Sequence, residues 1–138
     1  MNRNIMKNTL LVVDGEPSIL ELLHFIFGRE YKIVLTSTCY EALIWLEENE
    51  TPDLIILDFA IKGFGGKEFL RTIKVSGLYR KIPVVVLSQT GDFDPIAAEV
   101  AYGVDRFFPK PFNPIELKYS VSEIIATKQA NGLARIYN

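Results

Sequence analysis

The chain has 138 residues, 49% of them hydrophobic, which is enough for one well-buried core and too little for two ordinary domains. Its 15 basic and 17 acidic residues leave a formal charge of −2, which disfavours binding to nucleic acid or anionic membrane through bulk charge. A single cysteine, Cys39, excludes an intrachain disulfide and a cysteine-rich metal site, and no stretch reads as a signal peptide or a membrane span, so a reducing, cytoplasmic setting is expected.

The first apolar run, Thr9 to Val13, predicts a strand. Pro17 then stands where a first helical residue would, ahead of Ile19, Leu20, Leu22, Leu23, Phe25, Ile26 and Phe27, with Gly28 as the stop. A second strand is predicted over Lys32 to Thr36, and Thr38 with Glu41 forms a capping-box pattern ahead of Ala42, Leu43, Trp45 and Leu46. The third strand, Leu54 to Leu57, leads through Gly65 and Gly66 into a weaker helix from Lys67 to Lys74 that Gly77 closes. Val84 to Leu87 is the fourth strand, and Asp94 before Pro95 marks the next helix start. Asp105 to Phe108 is the fifth, followed by a helix that Asn113, Pro114 and Glu116 open. The expected organisation is an N-terminal extension over 1–8, one domain over 9–127, and a short, polar, frayed tail over 128–138.

The strand runs are nearly continuous Val, Ile and Leu rather than alternating, as expected for strands buried on both faces. Five strands alternating with five helices form a βα repeat, which right-handed crossovers wind into a doubly wound parallel sheet. The aromatics Phe25, Phe27, Trp45, Phe69 and Phe112 are assigned to core and helix packing. Cys39 is read as a small residue in a helix's first turn rather than a nucleophile, since the one histidine, His24, belongs to another helical segment.

In open parallel sheets the working site lies beyond the carboxyl ends of the strands. The first strand leads into Asp14, the third into Asp58, the fourth into Ser88 and the fifth toward Lys110. In the flavodoxin-like order 2-1-3-4-5 these four residues share one rim. Neighbouring carboxylates repel and call for a hard divalent cation, Mg²⁺ above others. A carboxylate beside such an ion can attack phosphorus, while lysine and hydroxyl bond the phosphoryl oxygens.

At this point the chain resembles a known family. From Thr9 to about Ile125 it is similar to the receiver domains of bacterial two-component response regulators. The matching segments are Leu11-Val12-Val13-Asp14, Pro52-Asp53-Leu54-Ile55-Ile56-Leu57-Asp58, Val85-Val86-Leu87-Ser88, and Gly103-Val104-Asp105 leading into Lys110-Pro111-Phe112. The resemblance implies a CheY-like (βα)5 fold with strand order 2-1-3-4-5. It implies Asp58 as phosphoacceptor, Lys110 as the phosphoryl contact, and Ser88 with Phe107 as the switch pair. The metal ligands it implies are Asp14, Asp58 and the backbone carbonyl of Ala60, with Glu16 a further candidate. The Lys110-Pro111 bond is a candidate cis peptide. A histidine kinase or phosphotransfer protein is the implied partner, and with no output domain after Thr127, signalling is expected through protein–protein contact.

Several positions depart from the family pattern. Gly15 stands where the direct metal ligand usually is, which predicts a weakened Mg²⁺ site. Lys62 and Gly65 replace a proline and an aspartate or asparagine, Gln89 replaces a small residue, and Phe107 replaces the frequent tyrosine. Gly15 is also the best argument for the alternative, a pseudo-receiver that binds partners without phosphorylation. A flavin or nucleotide binder is disfavoured because Asp14-Gly15-Glu16 would repel phosphate, and Gly63-Phe64-Gly65-Gly66-Lys67 lacks the spacing of a phosphate loop. A metal-dependent phosphohydrolase would need a fuller metal set and a general acid. Isolated strand-end aspartates usually cap loops, so the weight rests on the four residues together.

Overall fold

Parallel strands that are apolar on both faces need a helical layer on each side, and the chain meets that demand. A computed structural model describes residues 6–61, 65–89 and 103–137, with side chains through 133. The strands are β1 (Thr9–Val13), β2 (Lys32–Thr36), β3 (Leu54–Asp58), β4 (Val84–Ser88) and β5 (Arg106–Pro109). They pair in parallel in the order β2-β1-β3-β4-β5. The described helices are α1 (Pro17–Phe27), α2 (Cys39–Glu48), α3 (Gly66–Val75) and α4 (Pro114–Tyr137). Among the described residues no helix is long and apolar enough to cross a membrane.

The two-residue period of the strands sorts the core into two layers. Leu11, Val13, Ile55, Leu57, Val84 and Val86 pack against Cys39, Ala42 and Leu46 of α2 and Phe69, Leu70 and Ile73 of α3. Their neighbours Leu10, Val12, Leu54, Ile56, Val85 and Leu87 pack against Leu23 and Phe27 of α1 and Leu117, Val121 and Ile125 of α4. The central strands are thus sealed on both faces, while β2 and β5 form partly exposed edges. At the opposite end of the sheet from the rim, Asp53 accepts the Thr9 N–H at 2.7 Å and Asp105 accepts the Val84 N–H at 2.8 Å, so each aspartate satisfies the first donor of a neighbouring strand.

Most predicted boundaries hold, and the differences have local causes. Asn113 Oδ1 caps α4 through the N–H groups of Ile115 and Glu116. Thr38 caps α2 through the Glu41 N–H, but the Glu41 carboxylate accepts from Ser37 Oγ, so its half of the capping box is turned to the preceding residue. Gly28 stands at the end of α1 with its N–H donating to the His24 carbonyl at 2.8 Å, and a Cβ there would lie 2.6 Å from that oxygen. Gly77 does not close α3; Ser76 does, its hydroxyl accepting the N–H groups of Leu78 and Tyr79 in a new turn. Strand five is shifted one residue, to Arg106–Pro109, with Asp105 engaged as the cap. Phe25 is not a core residue: it projects into solvent, 86% exposed. The frayed tail expected from Lys128 is instead a continuation of α4 to Tyr137, anchored where the Lys128 ammonium bonds the Lys81 carbonyl and Gln129 bonds Asn8. The helix expected after Asp94-Pro95, the Lys62 and Phe64 positions, and Tyr102 lie outside the described residues.

Candidate functional site

The register fixes which residues meet at the carboxyl rim. Val13 pairs with Leu57, Asp58 with Leu87, and Ser88 with Pro109, so at the ends of four adjacent strands Asp14 stands level with Asp58, Ser88 one residue beyond them and Lys110 one residue beyond Ser88. All four are buried. Each aspartate is fixed by a tight local bond: Asp14 Oδ1 accepts the Glu16 N–H at 2.9 Å, and Asp58 Oδ1 accepts the Ala60 N–H at 3.1 Å. In both, the other carboxylate oxygen turns inward.

Lys110 fills the space between them. Its N–H donates to the Ser88 carbonyl at 2.8 Å, and the Lys110-Pro111 peptide is cis, as the resemblance implied. The ammonium lies 2.8 Å from Asp14 Oδ2, 3.2 Å from Glu16 Oε1 and 3.6 Å from Asp58 Oδ2. Burial pushes the Asp14 carboxyl above its ordinary value; the bonds from Lys110 and the Glu16 N–H pull it only part of the way back, and the Asp58 charge adds to the rise. Burial opposes the charge on Lys110 too, but the bond to Asp14 and the charges of Asp14, Asp58 and Glu16 outweigh it and hold the ammonium above the ordinary lysine value.

Asp14, Glu16 and Asp58 offer carboxylate oxygens within 4.8 Å of one another, an all-oxygen set suited to a hard divalent cation. Glu16, set apart from the motif by Gly15, nevertheless reaches the site. The reason is the Asp14 turn, which brings the start of α1 back over the rim. A cavity of about 480 Å³ adjoins Asp58, lined by Gly15, Glu16, Ser37, Thr38, Ala60, Ile61 and Gln89.

The sequence and the fold have counterparts among known proteins. The sequence matches the response regulator receiver domain family over residues 10–122. The chain belongs to that family. The receiver is 30% identical over 125 residues to sporulation initiation phosphotransferase F of Bacillus subtilis, covering 90% of this chain and 98% of that protein. It is 28% identical to the phosphate regulon transcriptional regulatory protein PhoB of Escherichia coli, matching 87% of this chain and 52% of PhoB. The receiver therefore spans about half the length of the PhoB-type relatives it matches. Among solved structures, a response regulator receiver domain protein from Clostridium thermocellum superposes with a TM-score of 0.79 at 25% identity, covering 89% of this chain and 98% of that one.

The receiver thus brings together Asp14, Glu16, Asp58 and Lys110, with Ser88 one residue beyond Asp58 on the neighbouring strand and the Ala60 backbone at the cavity edge. Phe107 is half-buried against the α2–α3 layer. Sequence reasoning passed over Ser37 and Thr38 as cavity residues. The rule that found Asp14 would have found them, because they follow β2 just as Asp14 follows β1.

Proposed function

We propose that the receiver accepts a phosphoryl group on Asp58 from a histidine kinase or phosphotransfer protein and signals through protein–protein contact. The observation that carries this reading is the buried Lys110 ammonium shared among Asp14, Glu16 and Asp58 at the carboxyl rim of the sheet. An Asp58 oxygen attacks phosphorus, a new P–O bond forms, and the bond to the donor's leaving group breaks with its electron pair. Lys110 pairs with the incoming phosphoryl oxygens, and the Ser88 hydroxyl donates a hydrogen bond to another. Asp14, Asp58, Glu16 and the Ala60 carbonyl are the groups suited to hold Mg²⁺. When bound, the ion offsets the charge of the carboxylates and of the phosphoryl oxygens.

In this reading Ser88 moves toward the phosphoryl group and Phe107 repacks behind it, shifting a population between two packings. Beyond gaining and losing the phosphoryl group on Asp58, the domain is not an enzyme, and it works in the cytoplasm. The B. subtilis phosphotransferase, matched over 98% of its length, supports a receiver that acts without a fused output domain.

Gly15 is the observation that favours the pseudo-receiver reading, and Glu16 weighs against it by restoring a third carboxylate. The two readings part on one assay: incubation with a labelled small phosphodonor and Mg²⁺, followed by hydroxylamine. A label that hydroxylamine removes supports an acyl phosphate on the receiver, and no label at any Mg²⁺ concentration supports the pseudo-receiver.

A further inference from the structure

Of the three carboxylates around Lys110, Glu16 differs in one respect. Asp14 and Asp58 have side chains 1% and 10% exposed and are pinned by Asx turns, whereas the Glu16 side chain is 45% exposed. The Glu16 carboxylate can therefore leave the site at little cost, while the aspartates cannot. Lys110 is buried, its side chain only 5% exposed, and its backbone is held by the N–H bond to Ser88, so its ammonium stays within a short range of the rim. Within that range it forms hydrogen bonds to Asp14 and Glu16 but stands 3.6 Å from Asp58, outside hydrogen-bond distance.

Gly15 is not a requirement of the backbone. A Cβ there would meet only Ile61 Cγ1 and the Ser37 carbonyl oxygen, both at 3.8 Å, and its φ is not in the left-handed region. The missing side chain leaves open the cavity that Glu16 and Asp58 line together.

We propose that Glu16 is a positioning residue for Lys110: sharing the ammonium with Asp14, it holds Lys110 away from Asp58, and a divalent cation that takes up the Glu16 carboxylate releases the lysine toward Asp58. This rests on the reading of Asp58 and Lys110 given above. It makes Glu16 the point at which metal binding and lysine placement compete, and it makes the lysine's readiness for a phosphoryl group depend on the metal. A glutamate that merely solvated the start of α1 would not couple the two.

The test is heteronuclear NMR of the Lys110 side-chain ammonium in the metal-free protein and during titration with Mg²⁺, in wild type, Glu16→Gln and Glu16→Ala. The alanine variant removes the acceptor that glutamine retains. Because Glu16 is half-exposed and caps no helix through its side chain, both variants should fold. We expect both to move the metal-free Lys110 resonance in the direction that Mg²⁺ moves it in wild type, and to cut the Mg²⁺-induced displacement by more than half. Resonances in the variants that coincide with wild type, with the full displacement retained, would overturn the proposal, as would a wild-type resonance indifferent to Mg²⁺ up to tens of millimolar. None of these outcomes requires Asp58 to be phosphorylated, so the failure of this inference is distinct from a failure to label Asp58.

Discussion

Lys110 Nζ lies 2.8 Å from Asp14 Oδ2 although the two residues are 96 positions apart and stand beyond strands separated by two others. The lysine spans the rim and serves as counter-ion to carboxylates brought together there from β1 and β3. Removing it strands buried charge, and breaking a buried pair from one side typically costs about 3–5 kcal/mol. Lys110→Met should accordingly lower stability by about 3 kcal/mol at neutral pH. Mg²⁺ should recover part of the loss. Lys110 holds its proton more tightly when folded, so its contribution is fully present below the ordinary lysine range and is lost as pH rises through the raised folded value. Urea unfolding against pH should show that alkaline loss in wild type and not in the variant.

Gly15→Asp tests the vacancy beside Asp14. The nearest atoms to a Cβ at this position are 3.8 Å away, so the substitution is tolerated. With Glu16 already at the site, the new carboxylate should tighten Mg²⁺ binding by less than tenfold, under about 1.4 kcal/mol. In a Glu16→Gln background the same change should gain more than tenfold. Calorimetric titration of the four proteins checks this, and Trp45, which lines a depression with Thr9 and Asp53 at the other end of the sheet, is a poor reporter for it. In the absence of metal, Gly15→Asp should lower the unfolding midpoint through added repulsion.

Much of this was legible in the sequence. Runs such as Leu54-Ile55-Ile56-Leu57 carry their own evidence for a doubly buried strand, and their carboxyl ends then name Asp14, Asp58, Ser88 and Lys110. The order of the strands came from the fold's precedent, since pairing among interchangeable aliphatic strands leaves no mark in any one of them. The reach of Glu16 was legible only as a candidate, because it depends on a turn that the Asp14 carboxylate itself forms. The exposure of Phe25 was missed for a related reason: helical spacing marks an apolar stripe but not how far the opposing layer extends to cover it.

Gly66 connects the fold to the site. A Cβ at Gly66 would fall 2.6 Å from the Phe59 carbonyl oxygen and 2.9 Å from that of Asp58, both backbone atoms that cannot yield without moving β3. Gly66→Ala should therefore cost about 1–3 kcal/mol, within the range of overpacking in a close-packed interior. Because the displaced segment carries Asp58, slower loading from a small phosphodonor should accompany the loss. A variant with wild-type stability and rate would show that the segment relaxes freely.

Cys39 is buried, and burial first, then the charges of Asp58 and Glu68, pushes its thiol up to about 11. Its thiolate fraction near pH 8 should be roughly a hundredfold below that of an ordinary thiol, before burial slows access further. Alkylation by iodoacetamide should accordingly be at least about a hundredfold faster in urea than in the native protein. The unfolded chain ionises this thiol first, so native stability should fall as pH rises from about 9 to about 11, and Cys39→Ala should lack that part of the slope.

The central claim is that Asp58 is the phosphoacceptor, and intact-mass spectrometry of wild type and Asp58→Asn after incubation with a small phosphodonor and saturating Mg²⁺ tests it most directly. Asparagine keeps the shape and the oxygen that accepts the Ala60 N–H but removes the nucleophile, so the variant should fold normally. A single phosphoryl adduct is expected on wild type and none on Asp58→Asn. The same adduct on both proteins, or none on wild type at any Mg²⁺ concentration, would contradict it.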